Sequence, residues 1–229
     1  AERVAVGEDE AGGQSALVDF GGGDDRPAAE AVAVAGDGGG RVSEVVDREE
    51  VRFPDADGET ALAVTQVDYT IEGSGDEEYP VVHVFGRSAD GAAEHVRVLG
   101  FEPYFYAPTD SLDAPPEEEY DEVLDSRETG PDGEPFESIR GERLTKIVAR
   151  TPRDVGAIRD EFDHYEADIL FPNRLLIDKD VGGALRVPAR RLDDGRIQVP
   201  HDESEPATVD AEPRVHTLDI EDADRNRLP

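Results

Sequence analysis

Residues 61–99 read ALAVTQVDYTIEGSGDEEYPVVHVFGRSADGAAEHVRVL. Three runs rich in β-branched and aromatic residues alternate with two clusters of Gly, Ser, Asp and Glu. Ala61–Ile71, Tyr79–Phe85 and Glu94–Leu99 have strand composition. Glu72–Glu78 reads as a loop, and Ala89-Asp90-Gly91 as a hairpin turn. The pattern predicts an antiparallel meander, continued by a short aromatic strand at Phe101–Tyr106. Such a meander forms one side of a small barrel or curved sheet.

Outward from this stretch the chain changes character. Residues 1–58 are rich in Gly, Ala, Asp and Glu, with Gly21-Gly22-Gly23 and Gly38-Gly39-Gly40 runs. They offer too little apolar surface to offset ordering entropy, which predicts a disordered tail. Residues 107–140 are acidic, hold Pro and Gly, and lack periodicity, which predicts an insertion or mobile loop. Arg143–Ala149 reads as a strand. A helix follows: Thr151 can cap it, Pro152 suits the first position and Asp154 suits the dipole. Val155, Ile158 and Phe162 give it one apolar face, and it should end near Asp163. Glu166–Leu170 reads as a strand, and 182–212 as a hairpin-like region turning at Asp193-Asp194-Gly195. Arg214–Ile220 reads as a last strand.

Lys and Arg total 23 against 56 Asp and Glu, a net charge of −33. One consequence is disorder, because high charge with low hydrophobicity opposes collapse. The other is a folded protein adapted to multimolar salt, where the Debye length falls to about 3 Å. Apolar runs at Tyr79–Phe85 and Ala167–Ile177, interleaved with the acidic residues, favour the second. Lys occurs only at Lys146 and Lys179, and Arg supplies the other positive charges. On this reading, order is gained between about 0.1 and 2 M KCl as repulsion is screened. The acidic total decides nothing about nucleic acid, since phosphate contacts release few counterions in high salt.

There is no Cys, so disulfides and thiolate metal sites are excluded. No apolar run approaches the roughly 20 residues of a membrane span, and no secretory signal is visible. A cytoplasmic location is the expectation. The lack of Met and the ending Arg225-Asn226-Arg227-Leu228-Pro229 read as processing or a fragment.

Asp219 and Glu221 stand two apart on the last expected strand and so share a face. Two such carboxylates can hold Mg²⁺ or Mn²⁺, as two-metal nucleases require. The spacing is common here; Asp76 with Glu78 and Asp132 with Glu134 repeat it, and a solvated acidic pair is the plain alternative. The apolar run Val215-His216-Thr217-Leu218 before it distinguishes the last pair. The five His residues, at 83, 95, 164, 201 and 216, form no metal-ligand spacing and read as packing or surface groups. Phe101, Tyr104, Phe105 and Tyr106 read as core packing, or as a platform on which single-stranded bases stack. Tyr104 and Tyr106 share one strand face, so both roles fit.

Five motifs occur in order: Val67–Tyr69, Phe101–Tyr106 (FEPYFY), Pro152–Arg159 (PRDVGAIR), Leu176–Lys179 (LIDK) and Leu218–Glu221 (LDIE). Over about residues 60–222 the series resembles the N-terminal domain of archaeal family B DNA polymerases, running into their first exonuclease motif. The haloarchaeal members look most similar, notably through Tyr165–Arg174 (YEADILFPNR). The resemblance implies an α+β class, with a mixed-sheet N-terminal domain at 59–174 that carries its insertion at 107–140. It implies the start of a ribonuclease H-like 3′–5′ exonuclease domain at 175–229. Tyr69, Pro103 and Tyr104 match the family's template uracil pocket. The pocket's remaining residues would fall in the acidic segment 107–140. Asp219 and Glu221 match the exonuclease metal ligands. DNA template–primer, dNTPs and Mg²⁺ or Mn²⁺ are then the implied partners of the complete enzyme. The palm and the other exonuclease carboxylates are not within this sequence, so the chain alone is expected neither to polymerise nor to degrade DNA. The alternatives are a stand-alone template-binding or uracil-sensing module, and a different metal-dependent nuclease sharing the acidic strand. In the tail, Gln14, Leu17 and Phe20 resemble a sliding-clamp docking peptide, with Gly21 in place of its second aromatic; an accidental match is the alternative.

Overall fold

The structure is a computed structural model that describes residues 45, 46, 48 and 51–211. The meander is present: β1 (Glu59–Glu72), β2 (Tyr79–Ser88) and β3 (Ala93–Leu99) pair antiparallel in sequence order. Gly91, at φ 83°, turns the β2–β3 hairpin, and its N–H donates to the Ser88 carbonyl at 2.9 Å. A register shift in β1 between Val64 and Gln66 faces Gly86 of β2. A Cβ at Gly86 would lie 2.3 Å from the Ala63 carbonyl oxygen, so only Gly admits this approach.

The meander does not continue as expected. Gly100, at φ 80°, turns the chain out of the sheet. β4 (Tyr104–Pro108) starts a second sheet with β5 (Val123–Arg127), β6 (Phe136–Glu137) and β7 (Arg143–Ala149). Its order is β4-β7-β5, with β6 also on β7. The acidic segment 107–140 is therefore part of the fold. Val123 is buried beside Phe105 and Ile147, and one buried residue at a strand start leaves no periodic signal.

α1 (Pro152–Ile158) carries the expected cap. Thr151 accepts from the Asp154 N–H, and the Asp154 carboxylate accepts from the Thr151 N–H at 3.0 Å. The helix ends earlier than expected and closes as a 3-10 turn over Arg159–Glu161. Glu166–Leu170 is not a strand. Tyr165 makes one bridge to Tyr106, and Glu166 then takes a left-handed φ of 62°. A second helix, α2 (Phe171–Asp178), follows with Pro172 in its first turn.

β8 (Ala184–Pro188), β9 (Ile197–Pro200) and β10 (Glu205–Pro206) return to the first sheet. Its order is β10-β8-β1-β2-β3-β9, with β9 parallel to β3 and every other pair antiparallel. The turn at 193–195 forms as expected, with Gly195 at φ 87° and Leu192 donating to the Arg196 carbonyl. The boundary expected between 174 and 175 falls inside α2, and strands from both sides share one sheet. Order also begins before residue 59. Val51 is buried with Val81 and Leu99, and the Asp57 N–H donates to the Ala189 carbonyl.

Strand alternation places the second sheet between two cores. Tyr104 and Val148 face the first sheet and α2, joining Leu62, Val82, Val84, Val96 and Val98. Phe105, Ile147 and Ala149 face α1 and join Val155 and Ile158. Fully burying each such side chain stabilises by roughly 1.5–3 kcal/mol.

Candidate nucleic-acid interface

Tyr104 and α2 meet because each presents one face to the same gap. On β4, Tyr104 and Tyr106 point together, with ring centroids 5.5 Å apart and near-perpendicular planes. On β7, Lys146 pairs directly with Tyr106 in the antiparallel register and so shares that side. On α2, Arg174 and Asp178 are four apart and lie on one helical stripe. The Tyr104 hydroxyl donates to the Asp178 carboxylate at 2.7 Å. Lys146 Nζ lies 3.5 Å from the centre of the Tyr104 ring, and the Arg174 guanidinium carbon 4.5 Å. The ring is thus a shared surface for two cations.

Arg174 is held from behind. Its Nη1 donates to Glu166 Oε2 at 2.6 Å and its Nη2 to the Glu166 carbonyl at 3.1 Å. The left-handed Glu166 backbone turns both acceptors toward one guanidinium. The apolar wall follows from Phe171, which meets Tyr69 edge-on at 5.6 Å and stacks on Phe101 at 5.4 Å. Phe101 in turn lies 6.0 Å from the His201 ring. Pro103 is buried beside Tyr104, and its carbonyl accepts from the Ala149 N–H.

Burial dominates the electrostatics here. Burial and the bond to Asp178 push the Tyr104 hydroxyl up, so it stays a donor. Burial lowers Lys146 to about 8; Asp178 and Glu102 oppose that shift, and Arg127 and Arg174 assist it. Lys179, following α2, is also lowered, by burial first, against Asp202 and Asp178. His201 is lowered to about 4 by burial and then by Lys179 and Lys146. Its buried Nδ1 has no hydrogen-bond partner among the described residues.

A second polar cluster lies on the other face of the first sheet. His83 Nε2 meets Thr70 Oγ1 at 2.8 Å, and His83 Nδ1 meets His95 Nε2 at 2.9 Å. The scattered histidines of the sequence are therefore two isolated rings and a hydrogen-bonded pair, among those described. Arg97 donates a fork to Glu72 at 2.8 and 2.9 Å, and its Nε donates to Gln198 at 2.8 Å. Gln198 completes the chain by donating to the Arg52 carbonyl at 2.7 Å.

The structure thus brings Tyr69, Pro103 and Tyr104 into one neighbourhood, but Tyr104 is only 8% exposed. An open stacking platform is not present there. Asp219, Glu221, Gln14, Leu17 and Phe20 lie outside the described residues. No group of three or more His, Asp or Glu among the described residues could hold a metal ion. No described helix is long and apolar enough to cross a membrane. Sequence reasoning missed Lys146, Arg174 and His201. The usable signal was that the chain has only two lysines, Lys146 and Lys179.

No protein-family profile matches the chain, and no curated protein sequence matches it. Among solved structures it is similar to the family B DNA polymerase from the hyperthermophilic archaeon Pyrobaculum calidifontis. The identity is 24% and the TM-score 0.47. The likeness covers 67% of this chain and 21% of that one. The matched part is thus about a fifth of that polymerase's length.

Proposed function

We propose that this chain is the N-terminal, template-facing part of a family B DNA polymerase adapted to high salt. The observation that carries the reading is the convergence of motifs far apart in sequence. Tyr69 from the first motif packs on Phe171, at the head of the helix whose last turn carries Leu176–Asp178 of the LIDK motif. Tyr104, from FEPYFY, donates to Asp178 of LIDK across 74 residues. Motifs shared for unrelated reasons have no cause to meet at hydrogen-bond distance.

On this reading Tyr69, Pro103 and Tyr104 wall a pocket for a template base, and uracil is the base it discriminates. Asp219 and Glu221 contribute the first two ligands of an exonuclease Mg²⁺ or Mn²⁺ site whose other carboxylates belong to the complete enzyme. Primer, dNTPs, a clamp contact through Gln14, Leu17 and Phe20, and a cytoplasmic location belong to the same proposal.

The test is binding of fluorescein-labelled DNA to the 229-residue chain in molar KCl, followed by anisotropy. A single strand should bind at least about tenfold more tightly than its duplex, because only unstacked bases reach aromatic pockets. Replacing one thymidine with deoxyuridine should strengthen binding, and Tyr69→Ala should remove that gain. Equal affinity for strand and duplex, or no binding to either, overturns the reading.

A further inference from the structure

The two sides of α2 differ. Its inner side carries Phe171, Arg174 and Leu175, all buried. Its outer side is bare: Leu170, at the N-cap, is 68% exposed, and Ile177, seven residues on, is 60% exposed. Asn173, also exposed, lies between them on the same stripe. The stripe carries no charge, on a chain whose net charge is −33. Single exposed apolar side chains are ordinary, but two aligned on one helix face leave an apolar strip open to water.

The course of the chain beyond β10 points to what covers this strip. β10 runs antiparallel to β8, with Glu205 opposite Arg186 and Pro206 opposite Leu185. The Ala207 N–H then donates to the Ala184 carbonyl at 2.9 Å, so the chain is heading back toward α2. Ala207, Val209 and Ala211 are half-buried while Thr208 and Asp210 are exposed, the alternation of an extended chain lying on the protein. Continued at the same register, 211 comes level with 180, two residues past the end of α2. The next apolar run in the sequence is Val215–Ile220, outside the described residues. At roughly 3.3 Å per residue, the stretch from 211 to 215 spans about 13 Å, and α2 is about 12 Å long. The run is therefore within reach of the stripe. A second copy is a poorer occupant. Two chains of this charge repel, and two side chains offer far less than the roughly 1,200 Å² of a stable interface.

We propose that the outer stripe of α2, Leu170, Asn173 and Ile177, is the docking seat of residues 215–220 of the same chain. Residues two apart on an extended segment share a face, so Leu218 and Ile220 meet the stripe together. Asp219 and Glu221 then turn outward, with both carboxylates free in solvent. α2 thereby joins two places: its inner side holds Tyr104 through Asp178, and its outer side seats the segment that carries the acidic pair. The docking needs no DNA and no metal. Only its use, to fix the two carboxylates relative to the template-facing cluster, rests on the exonuclease role proposed for Asp219 and Glu221.

The chain has no Cys, so an engineered pair reports the contact without background. The full chain carrying Ile177→Cys with Leu218→Cys is oxidised in molar KCl beside a control carrying Ile139→Cys with Leu218→Cys. Ile139 is the fully exposed residue of the β6–β7 turn, and each variant is checked for native circular dichroism. A disulfide needs Cα atoms within about 7 Å, so the first pair should close at least about tenfold faster than the control. Asn173→Cys with Leu218→Cys should close as readily, and adding Ile177→Asp to that pair should slow closure at least about tenfold. Equal rates for the test and control pairs, or closure that Ile177→Asp leaves unchanged, overturn the proposal. Covalent dimers of the Ile177→Cys single variant that outpace the intrachain bridge at micromolar chain assign the stripe to a second copy and overturn it as well. Because DNA is absent from every arm, a failure here leaves template binding standing, and a failure of template binding leaves the seat standing.

Discussion

The two polar clusters of this protein are built from similar groups and differ in closure. Behind the first sheet, Arg97 engages both edges of its guanidinium, on Glu72 and on Gln198, and Gln198 passes the chain on to Arg52. Thr70, His83 and His95 form a relay in which each inner nitrogen has a partner. Beside Tyr104 the bonds stop short: Lys146 faces a ring and His201 has an unmet nitrogen. A closed network rigidifies a fold and offers nothing to a ligand. An open one has donors to give, so on the proposed reading the difference separates a structural cluster from a binding one.

The largest expected effect comes from breaking the closed cluster. Arg97→Met leaves the Glu72 carboxylate and the Gln198 amide without their donor in a largely buried site. Removing one partner of a buried pair costs about 3–5 kcal/mol. Urea denaturation at fixed KCl should show a loss in that range. A loss below about 1 kcal/mol would mean that water already satisfies the network.

The same cluster gives the pH dependence. Burial first, then Arg97, lowers His83 to about 4, while Glu72 and Asp68 oppose the shift. His95 is lowered to about 4 by burial, then His83, Arg196 and Arg97, against Asp194. The unfolded chain protonates these rings near 6.5, above their folded value. Stability is thus fully present above about pH 6.5 and is lost as pH falls toward 4. The loss from the pair should be on the order of 2 kcal/mol. A tenfold change in proton affinity is worth about 1.4 kcal/mol, only one proton fits the relay easily, and solvent beside His95 screens part of the effect. Carboxylates titrate in the same window, so the reading is the difference between the native chain and the His83→Gln, His95→Gln double variant. Parallel stability curves would show that the rings are not held neutral.

The clusters also differ in how far the sequence announced them. Alternation along β2 makes Val82 and Val84 legible as core and so fixes where His83 points. It does not say that β3 brings His95 to the same place, because cross-strand register depends on the Gly91 turn. The helix at Thr151 was legible because its cap, Pro152 and Asp154 are consecutive signals. α2 was not: it is one turn shorter than an apolar pattern needs, and Ile177 at 60% exposure breaks its periodicity. Missing α2 concealed Arg174 and Asp178, and with them half the Tyr104 neighbourhood. The return of β8 and β9 to the first sheet was hidden for a related reason. Parallel pairing of β9 with β3 joins residues about a hundred apart, and no local pattern encodes it.

A smaller effect tests the N-terminal side of α1. Thr151 is fully buried and caps the helix that covers Phe105 and Ile147. Thr151→Ala should cost about 1 kcal/mol. Because α1 lies on the far side of the second sheet, DNA binding should stay unchanged. A variant that loses affinity without losing structure would extend the interface to that side.

The smallest stability change should come from the open cluster itself. Tyr104→Phe removes the hydroxyl that Asp178 accepts from, a bond of the same charge-assisted kind as Arg97 to Glu72. The outcome should differ because Asp178 is exposed and can take water instead, whereas Glu72 is partly shut in. The cost should be about 0.5 kcal/mol rather than several. The ring remains for Lys146 to rest on, but the freed Asp178 carboxylate can turn toward the ammonium. Lys146 should then titrate above 8, readable from its Nζ resonance, and strand affinity should fall as the donor finds a carboxylate of its own. A large stability loss with no change at Lys146 would instead make Tyr104–Asp178 a closed structural bond, and the contrast between the two clusters would disappear.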